Sequence, residues 1–177
     1  MKIKRNQILN VFLMVYVFVS AVVIFFDLGQ LTASINFVTW IAQFIPSIKP
    51  VADITSTPQS SALILALSWM AIPFVVITML LIGNWNSTEF KRLYGQISVW
   101  LFLGVFVFGP VLVIFATRLV PECDSWRGCF LYNGLKNTEW FVIVYGAGIW
   151  LASSALIVCM IIFSRTYFFK SKVGCAK

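Results

Sequence analysis

The chain has no histidine and only six acidic residues, Asp27, Asp53, Glu89, Glu122, Asp124 and Glu139. Metal centres, acid–base pairs and activated nucleophiles lean on histidine or on converging carboxylates. Here every acid falls in a connection or at the end of an apolar run. Charge as a whole is scarce, at 11% of 177 residues against roughly a quarter in soluble domains. No phosphate-binding glycine loop and no Gly-x-Ser-x-Gly elbow occurs. These absences argue against an enzyme: the sequence predicts no catalytic residue, no cofactor and no metal site.

What is present is apolar. Hydrophobic residues make up 60% of the chain and the mean hydropathy is +0.94. A bilayer-spanning helix needs about 20 predominantly apolar residues, and four uncharged runs reach that length, at 8–26, 61–83, 97–117 and 140–164. They are apolar on every face, which fits helices rather than the alternating strands of a barrel. The sequence therefore predicts an all-α membrane protein. It is a single four-transmembrane-helix bundle with spans at about 8–28, 61–83, 97–117 and 140–164. The first run follows Met-Lys-Ile-Lys-Arg but exceeds the apolar core of a signal peptide and lacks a small-x-small exit. It is read as a retained helix.

Lysine and arginine near span ends resist translocation and so set orientation. With the N-terminus inside, the inner segments carry Lys2, Lys4, Arg5, Lys91, Arg92, Arg165, Lys170, Lys172 and Lys177, and the outer ones only Lys49, Arg118, Arg127 and Lys136. Both termini are expected in the cytoplasm of a bacterial inner membrane. The net charge of +7 then reflects topology and contact with anionic lipid headgroups, and no nucleic-acid binding is expected.

The first outer connection contains INFVTWIAQFIPSI. Phe37, Ile41, Phe44 and Ile48 recur at helical spacing, with Asn36, Thr39, Gln43 and Ser47 opposite. This predicts a short amphipathic helix, either lying on the membrane with Trp40 at headgroup depth or packed over the mouth of the bundle. The inner loop NWNSTEFKRLYGQ and the basic tail offer Trp85, Lys91, Arg92, Tyr94, Lys170 and Lys172 as docking positions for a cytosolic partner.

Two of the four cysteines fall in VPECDSWRGCF, between the third and fourth runs. On the outer side, Cys123 and Cys129 are expected to form a disulfide, closing a short loop worth roughly 2 kcal/mol. Four helices and outward cysteines resemble the DsbB family of quinone-linked thiol oxidases. That chemistry passes electrons through a second Cys-x-x-Cys pair, and the first outer loop has no cysteine at all. The pair reads as a staple.

Within the fourth run, GAGIWLASSA places Gly148, Ala152 and Ala155 along one flank as a small-residue packing face. Packing within the chain is its first use and self-association its second. Pro73 and Pro110 are expected to kink their helices. Ser68, Thr78, Ser98, Ser153 and Ser154 could line a path, although such hydroxyls usually bond to the preceding turn of their own helix.

The layout of MKIKR inside, four spans, two outer loops and a basic tail ending KSKVGCAK is similar to two families of small four-pass proteins. One is the membrane subunit KwaA of the Kiwa anti-phage system, and the other is the immunity proteins against pore-forming colicins. The first resemblance implies a homo-oligomer that senses phage attack and holds a cytosolic partner. The second implies helices that engage an incoming toxin.

Overall fold

The computed structural model describes residues 5–82 and 120–174, together with Val111, Ile114, Thr117 and Arg118. Most of the third run lies outside these residues, as do Trp85, Lys91, Arg92, Tyr94, Ser98 and Pro110. Every regular element among the described residues is helical. In chain order these are α1 (Arg5–Phe25), a 3-10 turn (Leu28–Gln30), α2 (Thr32–Ala42), α3 (Ile48–Ala52), α4 (Pro58–Ile82), α5 (Trp126–Asn137) and α6 (Phe141–Gly174). Two of them, α4 over Pro58–Leu81 and α6 over Phe141–Ile162, are long and apolar enough to cross a membrane. The apolar part of α1, Asn10–Phe25, is shorter.

Boundaries differ from the sequence expectation at three places. First, α1 stops at Phe25 because Asp27 takes a left-handed backbone (φ 47°), a conformation that aspartate tolerates better than most residues. Second, α4 starts three residues early, at Pro58, whose fixed φ and missing N–H suit a first helical position. Third, α6 continues beyond residue 164 to Gly174, so the basic segment with Lys170 and Lys172 extends the same helix.

The hub is α4. Every residue from Ser60 to Ala66 is buried, as a helix apolar on all faces requires, and α1, α2, α3, the 3-10 turn and α6 pack around it. Past Trp69 only Ile72, Val75 and Val76 stay buried, while Phe74, Ile77 and Leu81 open outward. Pro73 lies inside α4 on the exposed side, and the helix runs through it to Ile82.

Contacts along the hub fix the helix directions. Tyr16 of α1 bonds Ser68, and Asp27 just past α1 bonds Ser60, so α1 runs opposite to α4. Ser56, ahead of α4, donates to Glu139, ahead of α6 (3.3 Å), so α4 and α6 run the same way. The end of α1 and the starts of α4 and α6 therefore meet at one end of the molecule, which also holds α2, α3 and α5. Thr117 reaches this loop end too, where its carbonyl accepts the Ser47 N–H at 3.1 Å.

A latch closes the α1–α4 corner. Asp27 accepts from Ser60 Oγ at 2.6 Å and from the Gln30 amide. A side chain at Gly29 would run into the Gln59 and Ser60 backbone, so the 3-10 turn lies flat on the start of α4.

The amphipathic helix forms, with an altered face. Helix α2 ends at Ala42 and buries Val38 and Ile41 against α4. Ile48 is buried in the separate helix α3, whereas Phe44 is exposed and Ser47 buried, the reverse of the expected assignment. Pro46 explains the break, since the residue before a proline is disfavoured in the α region. Trp40 stays exposed and stacks edge-on with Phe44, ring centroids 5.6 Å apart.

Candidate functional site

Helix α6 carries two faces of different chemistry. Val142, Ile143, Gly146, Trp150, Ser153, Ser154, Val158 and Ile162 are buried. Val144, Gly148, Ala152 and Ala155 recur every three to four residues on another flank, and all four are exposed. Nothing lies within 4 Å of the position a Gly148 Cβ would occupy. Among the described residues Gly148, Ala152 and Ala155 have no packing partner within the chain: this smooth strip faces away from α1 and α4.

The close approach belongs to Gly146, one step round the same helix. A Cβ there would collide with Tyr16 Oη and Ser68 Oγ, so α1, α4 and α6 converge on it. Tyr16 Oη lies 2.9 Å from Ser68 Oγ and donates to the Ile143 carbonyl at 3.2 Å. Ser68 Oγ in turn donates to Ile64 O at 2.7 Å. Two hydroxyl protons face these three contacts, so only two of the three can be hydrogen bonds at any one time. Nearby, the Trp150 ring meets Tyr16 edge-on at 5.8 Å, and both Trp150 Nε1 and Ser154 Oγ are buried without a hydrogen-bond partner.

Hydroxyls elsewhere turn back on their own helices. Thr78 donates to Phe74 O and Ser164 to Met160 O, both at 2.7 Å. Ser68 bonds in the same i to i−4 manner, and Ser153 and Ser154 are buried. Among the described residues, no three carboxylate or cysteine side chains gather closely enough to hold a metal ion.

At the loop end, Cys123 and Cys129 form a disulfide across the start of α5. Ser125 caps that helix, its Oγ accepting the Gly128 N–H at 3.2 Å, and the Cys129 N–H bonds Ser125 O at 2.8 Å. Leu135 anchors α5 in the core, while Trp126 and Phe130 are exposed. Arg127 sits over the Trp126 ring and Lys136 over that of Tyr132.

Sequence reasoning missed Gly146, the Tyr16–Ser68 knot and the Asp27 latch. The signal for the knot was present: a tyrosine and a serine inside uncharged runs need partners where water is absent. The two glycines of Gly-Ala-Gly could not be told apart without knowing how α6 is rotated. No protein-family model, no curated protein and no solved structure matches the chain.

Proposed function

We propose that the chain is a four-pass inner-membrane protein that acts by contact rather than catalysis. It associates with copies of itself through the Gly148–Ala152–Ala155 face of α6 and anchors a cytosolic partner, in the manner of a KwaA-like defence subunit. The observation that carries this reading is the outward small-residue strip. In lipid there is no hydrophobic force between helices, and association relies on close backbone approach at small residues. A smooth strip left open by its own chain is what such a contact uses.

Helix direction supports the reading of four crossings. Because α4 and α6 run the same way, a chain that spans with both must cross back once between them. The uncharged run 97–117 has the length for it, and its last residue, Thr117, lies at the loop end. The positive bias of Lys2, Lys4, Arg5, Lys91, Arg92 and the α6 extension supports a cytoplasmic location for the opposite end. There the segment 84–96 and the helical tail with Lys170 and Lys172 form the docking side for a protein partner. Lipid surrounds the rest.

Purification in mild detergent with light-scattering mass determination tests this. The wild type is expected as a homo-oligomer and Gly148→Leu as a folded monomer, because leucine meets open space within the chain and bulk only in a neighbour. A monomeric wild type would sink the self-association reading. Protection of cells against a single pore-forming toxin, with no partner recovered, would favour the immunity reading instead.

A further inference from the structure

Helix α2, helix α3 and the start of α4 line an open cavity of about 210 Å³ at the loop end. Its walls include Ile35, Val38, Ala52 and Ala62, and the charged residues on its lining are Lys49 and Asp53. These two stand four residues apart, Lys49 on α3 and Asp53 just past its end, both exposed, and neither has an ion-pair partner among the described residues. Opposite charges at that spacing ordinarily pair with one another. Here they stand free beside an apolar hollow.

We infer that this cavity binds the headgroup region of a zwitterionic phospholipid with a phosphate and a primary amine. The phosphate pairs with Lys49, the ammonium with Asp53, and the adjoining glycerol and first methylenes rest on Val38, Ala52 and Ala62. A group carrying both signs satisfies both free charges at once, which a purely anionic or cationic ligand cannot do. The volume sets the size: cavities that enclose a drug-sized ligand run from roughly 300 to 1,000 Å³, so this one is too small for a quinone or a whole lipid. Depth agrees. The cavity lies where α1 ends and α4 begins, against α2, whose exposed Trp40 is a side chain of the type enriched at the headgroup zone of a bilayer. The inference thus rests on the membrane reading, although not on self-association or on any partner.

Native mass spectrometry of the full chain with short-chain phosphatidylethanolamine or phosphatidylglycerol tests it. The expected result is one phosphatidylethanolamine per chain, in preference to phosphatidylglycerol. Lys49→Ala should weaken binding of both lipids about twofold to fivefold, the range that an exposed ion pair supplies. Asp53→Ala should erase the preference, and Thr39→Trp, on the cavity wall, should abolish binding. All three variants should unfold at the wild-type temperature, since none of these side chains is buried. Equal binding of the two lipids, variants that bind like the wild type, or displacement by free phosphoethanolamine at the lipid's own concentration would each overturn the inference. A membrane-inserted chain that binds no phosphatidylethanolamine removes this site alone, whereas a chain absent from the membrane fraction removes the span reading and this site with it.

Discussion

Gly146 and Gly148 stand two residues apart on α6, which turns them about 200° from each other around the helix. That rotation separates a residue that holds the fold from one that leaves it open. Gly146→Ala drives a methyl into Tyr16 Oη and Ser68 Oγ, and forced overpacking costs about 1–3 kcal/mol. Gly148→Ala meets nothing and is expected within about 0.5 kcal/mol of wild type. Thermal unfolding in detergent separates the two, and equal stability of both variants would refute the convergence of α1, α4 and α6 on Gly146. The neighbouring indole permits an opposite experiment. Trp150→Phe removes a buried N–H that has no acceptor among the described residues, which offsets part of the cavity that the smaller ring leaves, so it should cost less than Trp150→Leu by a clear margin, whereas Tyr16→Phe should lose about 1 kcal/mol with its bonds to Ser68 and Ile143. Equal losses in Trp150→Phe and Trp150→Leu would mean that the indole N–H has a partner in the folded protein.

Among the elements, α5 illustrates how a short helix is held at a surface. Its mean composition is not apolar enough to fold on burial alone, and only Leu135 is fully buried. The Ser125 cap and the Cys123–Cys129 bond supply what packing does not. Replacing both cysteines by serine is expected to cost about 2 kcal/mol on the chain-entropy model, and Ser125→Ala about 1 kcal/mol, with oligomer size unchanged in both. Loss of assembly in the cysteine variant while the fold persists would move the disulfide from staple to working part. The sequence predicted this pairing because both cysteines lie in one short loop. It also placed α4 and the start of α6 to within a few residues, since uninterrupted apolar length is a one-dimensional property. The amphipathic face of α2 was half right for a related reason: a 3.6-residue period reads straight across Pro46, and only the broken helix shows that Phe44 turns outward and Ile48 belongs to α3. Which side of α6 faces its neighbours was not readable at all. Glycine, alanine and serine populate both flanks of that helix, and rotation is settled by Tyr16, Ser68 and Trp150 acting across three elements.

At the scale of the molecule, the two ends differ in charge more sharply than the lysine and arginine count alone conveys. The two terminal segments and the segment 84–96 together carry nine cations and one acid, Glu89. The loop end carries Lys49, Arg118, Arg127 and Lys136 against Asp27, Asp53, Glu122, Asp124 and Glu139. A chain so divided should insert with the loop end outside, where the disulfide also persists. The cysteines then report orientation without mutation. In intact spheroplasts a membrane-impermeant maleimide is expected to leave the protein unlabelled, because Cys123 and Cys129 are bonded to each other, Cys159 lies within the apolar part of α6 and Cys175 falls on the cytoplasmic side in the proposed orientation. Prior reduction should expose the outer pair and add two labels from outside, while lysis without reduction should instead add one, at Cys175. Labelling of a single site in intact, unreduced spheroplasts would place the tail outside and reverse the orientation, and with it the side on which a partner docks.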